Sequence, residues 1–600
     1  MQIRGSRGGM SDRTKAVLLI LFLTLVVYSN SLGGQFVSDD EYFVVKNVNV
    51  KSLKNIPDFF MNRSAVAFAD LSLDVYRPVT VLSYAIDYLF WKLNTFGYHL
   101  VNVLLHSANA ILIFIFLYAL FGDIWIAAFA SLFFALHPVE TEVVSWISGR
   151  SSLLFLLFYL SALLLYIRGK ILPSLVLFAA SLFSKEMAVT LPLLIVAYDI
   201  HFPGKESLKR KIYKYIPYFI IVAAFILIRA FVLKRVSQCG WWGDSPYYTF
   251  LSMLVSFVDY LRVLVLPVNQ CAFYITDIYT TIFHPKVLLG LALLLISLGS
   301  IPLVFKRSKK MSFFMCWFFI TILPVSNIVP LRALIAERFL YIPSIGFCVL
   351  LAMALAKQKK AIATAAAISI VVIYGLLTMI RNEDWRDPVL LAKSIIRVSP
   401  HNTWGYSCLG SAYLGDERYA DAEKALKKAI VLSPDYSSPK TALGFCYLKA
   451  EKYEEAIALL TESLKSDPRN LETLNLLGIC YGSLKKYDEA IKRFESSIAI
   501  DKTFVNAYLN LGATYEFLQK HDLAIKEYNR ALARSRGAQD AALLRVRIGD
   551  VYIKMNDIPK ARGEYIAAIK ICGDKFVELA KVASSRLIRL DEMDKPKATK

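Results

Sequence analysis

Hydrophobic positions follow two different patterns along the chain, and the change lies near residue 387. Before that point, many apolar runs approach membrane-spanning length. A hydrocarbon core of about 30 Å needs about 20 apolar residues in a helix, so these runs predict membrane-spanning helices. After that point the chain becomes charged, helical in pattern and repetitive. The pattern therefore predicts an all-α protein in which a polytopic membrane domain precedes a helical solenoid.

The apolar runs predict about 11 spans, divided by basic clusters such as "GKESLKRKIYK" and "KRSKK". Basic clusters favour the cytoplasmic side, which places the N-terminus in the cytoplasm and the chain after the last span outside it. The run 250–267 is expected to be re-entrant or interfacial, because a twelfth span would put "KRSKK" outside. The predicted spans lie near 16–32, 99–121, 123–138, 150–167, 171–184, 187–202, 213–233, 286–305, 312–329, 333–355 and 361–380.

Composition supports a membrane protein and explains the charge. Hydrophobic residues make up 56% of the 600 residues, and the mean hydropathy is +0.47. The net charge of +21 comes from lysines and arginines at the ends of apolar runs, so membrane topology explains it without a nucleic-acid partner. The eight cysteines show no zinc-site spacing and no disulfide framework.

The second part of the chain repeats every 34 residues. Small residues at this step let two helices of a unit approach closely, while tyrosine fills the gap between units, which is the tetratricopeptide signature. The array predicts a surface that binds proteins, although no asparagine ladder marks its ligand. The predicted domains are 1–385 for the membrane domain, 386–590 for the repeats and 591–600 for a disordered tail. The marker positions are Gly410, Gly444, Gly478, Gly512, Tyr413, Tyr447, Tyr481 and Tyr515.

Ionisable residues gather on the predicted outer face of the membrane domain. Asp39 and Asp40 begin a long loop, 33–98, directly after the first span. An isolated acidic pair could be a helix cap or part of a solvated loop. The same face, however, collects "HPVETEVVSWISGR", "SKE" and "AERFLYIPS". Ionisable groups at a membrane boundary are costly, so this collection predicts a functional site.

The residue types suggest sugar transfer from a lipid phosphate. A carboxylate can deprotonate an acceptor hydroxyl, and Arg or Lys can hold a phosphate whose charge grows as its bond to the sugar breaks. The sequence contains no evident nucleotide-sugar DxD motif, P-loop or GxSxG elbow. We therefore expect no cofactor and no obligatory metal, with a lipid-linked sugar as co-substrate.

Several segments match a known family in order and spacing. They are "FVSDDEYFVVKN", "YRPVTVLSYAIDY", "GYHLVNVLLHSANAIL", "LHPVETEVVSWISGRSSLL", "LFSKEMAVTLPLL" and "LPVSNIVPLRALIAERFLYIPSIGFCVL". With the repeats, these segments resemble the transmembrane and tetratricopeptide-repeat-containing protein family, which are O-mannosyltransferase-like members of the GT-C class. The resemblance implies transfer of a sugar, typically mannose, from a polyprenyl or dolichyl phosphate to a protein hydroxyl on the non-cytoplasmic face. It also implies an acidic catalytic base in the first loop.

On this sequence the base would be Asp39 or Asp40, and we favour Asp39. The candidate ligands of the donor phosphate are Arg338, Arg150, Lys185 and Arg77. The candidate ligands of the sugar or the acceptor are Glu140, Glu142, Glu186 and Tyr341.

Structural roles stay open for several of these residues. Arg338 could pair with Glu337, Lys185 could pair with Glu186, and Arg77 could anchor a loop helix. Helix capping after Pro138 is an alternative for the two nearby glutamates. Three histidines are expected to be structural rather than metal ligands: His99, His106 and His137.

Two other functional classes stay open. One is a non-enzymatic membrane scaffold or transporter with a protein-binding repeat domain, although transporters typically place polar residues at mid-span. The other is a lipid-diphosphate-dependent polysaccharide polymerase or ligase, which relies on a large late loop that this chain lacks. In each case we expect a multi-pass protein of the plasma (inner) membrane or the endoplasmic reticulum membrane, with the repeats on the non-cytoplasmic side.

Overall fold

The computed structural model describes residues 10–62, 75–204, 206–233, 239–535, 537–573 and 577–593. These residues are predominantly helical, and no strand occurs among them, which confirms the predicted all-α class. The chain divides into two compact units, 1–400 and 401–600. The domain boundary predicted between residues 385 and 386 stays a prediction. Of the predicted disordered tail, residues 594–600 lie outside the described residues.

The first unit is built from helices joined by connections of different lengths. In chain order they are α1 (Asp12–Val27), α2 (Ile56–Met61), α3 (Pro78–Trp91), α4 (Thr95–Phe121), α5 (Ile124–Leu136), α6 (Thr141–Ser145), α7 (Arg150–Ile167), α8 (Ile171–Ser184), α9 (Leu191–His201), α10 (Leu208–Leu233), α11 (Pro246–Val265), α12 (Pro285–Arg307), α13 (Lys309–Ile322), α14 (Pro343–Leu355), α15 (Lys360–Asp384) and α16 (Pro388–Val398).

Fewer helices reach spanning length than the sequence predicts. Six helices in the described ranges are long and apolar enough to cross a membrane, or seven if α5 and the bent segment after it form one span. The predicted number of about 11 spans is therefore not confirmed. Several predicted spans form shorter helices, since α8, α9 and α14 have 14, 11 and 13 residues.

The run 250–267, expected to be re-entrant or interfacial, forms α11, a continuous helix of 20 residues. Such a helix is about 30 Å long and could span a membrane. However, segments on both sides of α11 line the same cavity, with Trp242 before it and Ala272 after it. The returning chain also contacts the helix, because the backbone N–H of Tyr279 donates to Ser252 Oγ at 3.1 Å. This return supports the re-entrant or interfacial interpretation, which stays a prediction.

A break after α5 shapes the region where the ionisable residues lie. Proline disfavours helical geometry in the residue before it, and His137, before Pro138, has an extended ψ of 128°. The chain bends there by 49°. It then doubles back after α6, where a Cβ on Gly149 would lie 2.1 Å from the carbonyl oxygen of Val143. Only glycine permits this close approach, which fixes the position of the neighbouring Ser148.

The end of α15 ties the chain around the end of α1 to this doubled segment. The side-chain amide of Asn382 donates to Val27 O at 2.9 Å, and Ser145 Oγ donates to Asn382 Oδ1 at 2.9 Å. Trp385 stacks on Trp146 with ring centroids 5.8 Å apart. These contacts hold the segment after α1 against the turn after α6, although the two are far apart in sequence.

The second unit is a series of paired helices, as the 34-residue pattern predicts. Its helices are Thr403–Gly415, Tyr419–Leu432, Ser437–Lys449, Tyr453–Ser466, Leu471–Ser483, Tyr487–Ile500, Val505–Phe517, His521–Leu532, Ala538–Lys554, Ile558–Cys572 and Val577–Met593. The repeated glycines lie where paired helices touch. A Cβ on Gly410 would lie 2.4 Å from Leu426 Cγ, so glycine permits the approach. The segment "LAKSIIRVSP", which directly precedes the first of these helices, forms most of α16 and belongs to the first unit.

At two glycines of one repeat helix, replacement by alanine should have opposite effects on stability. A Cβ on Gly478 would lie 2.4 Å from the buried ring of Phe494, so Gly478→Ala should destabilise the repeats by about 1–3 kcal/mol through overpacking. A Cβ on Gly482 meets nothing within 4 Å, so Gly482→Ala should stabilise them by up to about 1 kcal/mol through helix propensity. Thermal unfolding of the full chain, with limited proteolysis of the repeats, measures both effects. Equal effects of the two variants would contradict the packing argument.

Candidate active site

A cavity of about 440 Å³ lies in the first unit. Half of the predicted site residues line it: Asp39, Arg77, Lys185, Glu186 and Arg338. The other half do not line it: Asp40, Glu140, Glu142, Arg150 and Tyr341. The cavity therefore joins residues from the first loop, the segment before α3, the turn after α8 and the segment before α14.

The structure gives the two acidic residues of the first loop different surroundings. Asp40 is fully buried, and its carboxylate accepts hydrogen bonds from Val37 N at 3.0 Å and from Ser148 N at 2.8 Å. The hydroxyl of Ser148 donates to the same carboxylate. Asp39 is partly exposed and lines the cavity. Asp40 thus fixes the turn, and its neighbour Asp39 faces the space where a ligand can enter.

Burial raises the pKa of Asp40 to about 7, against hydrogen bonds that favour its charged form. An unfolded Asp has a pKa near 4. The contribution of Asp40 to the stability of the folded state is therefore fully present below about pH 4, and it is lost as the pH rises through about 7. The loss is on the order of 4 kcal/mol. We expect Asp40→Asn to gain thermal stability relative to the wild type between pH 5 and pH 8, because asparagine stays neutral. A difference in unfolding midpoint that does not change with pH would contradict this.

Two arginines of the cavity wall, Arg77 and Arg338, are paired with carboxylates. Arg77 binds Glu186 in a two-point contact, with Nε at 3.1 Å and Nη2 at 2.7 Å from the two carboxylate oxygens. Arg338 binds Glu142 through its backbone N at 2.8 Å and Nη1 at 2.5 Å. The suggested pair of Arg338 with Glu337 is not formed, since Glu337 accepts from Cys271 N and from Tyr274 OH. Each pair holds a guanidinium in a fixed orientation at the cavity wall.

Lys185 lies in the same wall but has a different environment. Its ammonium donates to Ser152 Oγ at 2.7 Å, and the residue is 4% exposed. Glu186, the suggested partner of Lys185, binds Arg77 instead. Burial, together with the positive charge of Arg77, lowers the pKa of Lys185 to about 7.

Arg150 lies away from the cavity and joins three helices. Its Nη2 is 2.8 Å from Asp87 Oδ2 and donates to Tyr98 O at 2.8 Å, while its Nε donates to Asn102 Oδ1. The side chain is completely buried. These contacts connect the start of α7 to α3 and α4.

Glu140 and Tyr341 are also buried outside the cavity. Ser344 Oγ donates to Glu140 Oε1 at 2.7 Å, and Tyr341 OH lies 2.9 Å from His106 Nδ1. His137 Nε2 lies 3.0 Å from Leu264 O, so His106 and His137 both make contacts inside the fold.

Within the described ranges, no group of three His, Cys, Asp or Glu residues is placed to hold a metal ion. The absence of an obligatory metal stays a prediction.

Sequence reasoning missed several residues of the cavity wall. Arg332, Trp146, Trp242 and Tyr274 also line it. Arg338 Cζ lies 5.8 Å from the ring centroid of Trp146, a distance at which cation and ring attract. The sequence features that point to these residues are the tryptophans in "VSWIS" and "GWWGD" and the additional arginine in "PLRAL".

The fold and the site define a class: helical membrane proteins with an ionisable cavity and a tetratricopeptide array. Matches to family models cover parts of the array. The model described as "Anaphase-promoting complex, cyclosome, subunit 3" matches 416–497, and two tetratricopeptide repeat models match 481–516 and 505–537. One similar solved structure is a thermophilic TPR protein of Thermus thermophilus, with 19% identity, a TM-score of 0.28, and coverage of 31% of this chain and 100% of that chain.

Two relatives extend the match into the membrane unit. Protein O-mannosyl-transferase F38B6.6 of Caenorhabditis elegans is 29% identical over 442 residues, covering 69% of this chain and 62% of that protein. Protein O-mannosyl-transferase TMTC3 of Mus musculus is 26% identical over 483 residues, covering 70% of this chain and 51% of that protein. The chain thus spans about half to three fifths of the length of these curated relatives. The chain is thus similar to TMTC proteins and carries tetratricopeptide repeats, which confirms the resemblance stated from its motifs.

Proposed function

We propose that the protein is a GT-C type glycosyltransferase that transfers mannose from a polyprenyl or dolichyl phosphate to a Ser or Thr hydroxyl of a protein. The observation that carries this proposal is the cavity in which the carboxylate of Asp39 and the cations Arg77, Lys185 and Arg338 line one space. The names of the relatives supply the sugar and the type of acceptor.

Asp39 acts as the general base in this proposal. It accepts the proton of the acceptor hydroxyl, whose oxygen forms a bond to C1 of the sugar. The bond between C1 and the phosphate oxygen breaks, and its electron pair stays on the phosphate. The negative charge of the phosphate therefore grows by one unit during the reaction, and preorganised cations stabilise that growth.

The ion pairs leave the arginines able to bind phosphate. A guanidinium has five N–H donors, so a carboxylate that occupies one or two of them still leaves donors for phosphate oxygens. Glu142 and Glu186 orient Arg338 and Arg77 in this way, and their own contact with sugar is not needed. The paired carboxylates also limit the net positive charge of the cavity wall before the donor binds.

The proposed topology puts the N-terminus in the cytoplasm and both the cavity and the repeats on the non-cytoplasmic side. It is supported by the basic clusters between apolar runs. The bilayer then presents the lipid-borne donor, and the repeats bind the protein acceptor or a partner protein. The membrane is the plasma (inner) membrane or that of the endoplasmic reticulum.

A reconstitution assay tests the proposal against its alternatives. Purified full-length protein in lipid vesicles receives polyprenyl phosphate [³H]mannose and a Ser/Thr-rich peptide, and parallel reactions receive GDP-mannose or a polyprenyl-diphosphate glycan. Label on the peptide only with the lipid-phosphate donor supports the proposal. Transfer only from the diphosphate favours the polymerase or ligase. Absence of transfer with several sugars and acceptors favours the scaffold or transporter.

A further inference from the structure

Lys185 differs from Arg77 and Arg338, two arginines that share its cavity. Arg77 and Arg338 each bind a carboxylate, whereas the hydrogen bond from Lys185 Nζ goes to the neutral hydroxyl of Ser152. In the part of the chain that the structure describes, no carboxylate oxygen forms an ion pair with Lys185 within 4.0 Å. The ammonium is nevertheless buried, with 4% of the residue exposed. A buried amine at a cavity wall without a paired anion is suited to an anionic ligand.

The backbone around Lys185 holds it in place. Lys185 N donates to Ser181 O at 3.0 Å, which ends α8, and its carbonyl accepts from Ala188 N at 3.2 Å. Thr80 Oγ1 donates to Ser184 O at 3.0 Å, which ties this turn to α3. The position of the amine in the wall is therefore set by the fold rather than by a partner carboxylate.

Four charged groups act on Lys185. Arg77 and Arg338 lower its affinity for a proton, and Glu186 and Glu142 raise it. Burial has the largest effect, and it too disfavours the charged form. Burial and these neighbouring charges thus keep Lys185 close to the balance between its neutral and charged forms near neutral pH, and a nearby anion shifts that balance to the charged form.

We propose that Lys185 is a proton-coupled ligand of the lipid phosphate, which takes up a proton as the phosphate binds in the cavity. This inference rests on the donor class of the proposed function. An arginine cannot serve in this way, because it stays protonated at any physiological pH. The amine supplies positive charge when the phosphate is present and gives it up when the phosphate leaves.

The proton balance of the cycle is closed. The proton that Lys185 gains on binding comes from solvent, and the proton of the acceptor hydroxyl goes to Asp39, which releases it to solvent before the next donor binds. When the sugar leaves, the phosphodiester with one negative charge becomes a monoester that tends toward two charges, since its second pKa is about 6. The charged Lys185 favours this product-like phosphate and returns its proton to solvent as the polyprenyl phosphate departs.

Isothermal titration calorimetry of the full chain with polyprenyl phosphate tests the inference. Titrations at pH 7.5 in two buffers with different ionisation enthalpies give the number of protons taken up. The variants are Lys185→Arg, which keeps the charge but does not titrate, and Lys185→Gln, which removes it. Inorganic phosphate serves as a second titrant, and thermal unfolding confirms that each variant is folded.

We expect wild type to take up more protons than Lys185→Arg, with a difference of up to about one proton at pH 7.5. Lys185→Gln should bind about 10- to 100-fold more weakly, as expected for loss of a charge-assisted hydrogen bond. Equal proton uptake in wild type and Lys185→Arg overturns the inference but leaves the proposed function intact. Equally tight, proton-coupled binding of inorganic phosphate overturns the assignment to a lipid phosphate. Failure of wild type to bind polyprenyl phosphate overturns both the inference and the proposed donor class.

Discussion

Replacement of Asp39 by asparagine is expected to lower the rate of mannose transfer by about 10²- to 10⁴-fold, the contribution of a positioned general base. Asparagine keeps the shape of the side chain but cannot accept the proton of the acceptor hydroxyl. Because Asp39 is partly exposed and Asp40 holds the turn, the variant should fold normally. Single-turnover transfer from polyprenyl phosphate mannose in reconstituted vesicles measures the effect, and binding of the donor should change little.

Glu41→Gln is the matched control for Asp39→Asn. Glu41 belongs to the same loop, lies at the surface 3.1 Å from Lys46 Nζ and does not line the cavity. Its replacement removes a carboxylate from the same region without touching the site, so transfer should stay within about twofold of wild type. Wild-type rates in Asp39→Asn, or an equal loss in both variants, would remove Asp39 from the role of base.

The repeats could be predicted because their signal is local. A glycine at each 34-residue step sits where two consecutive helices of one unit touch, so the information lies within a few tens of residues. Gly410 against Leu426 and Gly478 against Phe494 show the same relation in the structure. The membrane unit carries no such repeat, and its predicted number of spans is not confirmed. The polar residues Lys185 and Glu186 interrupt one apolar region, and α8 and α9 on either side are short.

The residues of the site were easier to predict from the sequence than the residues with which they form hydrogen bonds and ion pairs. In the sequence, the nearest candidate partner of Arg338 is the adjacent Glu337. In the structure the partner of Arg338 is instead Glu142, which lies 196 positions away in sequence. The two meet because α6 is folded back against the segment before α14. The distinction between Asp39 and Asp40 has the same origin, since it depends on Ser148, 108 positions further along the chain. Tertiary packing determines these pairings, and a local sequence pattern does not contain that information.

Arg338 should be needed for both stability and transfer, and the two roles can be separated. Glu142 is 1% exposed and binds Arg338, so Arg338→Met leaves a buried carboxylate without its cation. We expect a loss of about 3 kcal/mol of stability, the lower end for a broken buried pair because Arg338 is itself 30% exposed. Transfer should fall by about 10²- to 10³-fold, as for removal of one donor that stabilises developing charge.

The double variant Arg338→Met with Glu142→Gln separates these effects. Removal of the buried charge should restore most of the lost stability, measured as the thermal unfolding midpoint, because no unpaired carboxylate remains. Transfer should stay low, since the phosphate still lacks the guanidinium. Arg338→Lys should give an intermediate rate, because it keeps the charge but loses the forked geometry. Recovery of transfer together with stability in the double variant would show that Arg338 only supports the fold, and the phosphate would then have to be held by Arg77 and Lys185.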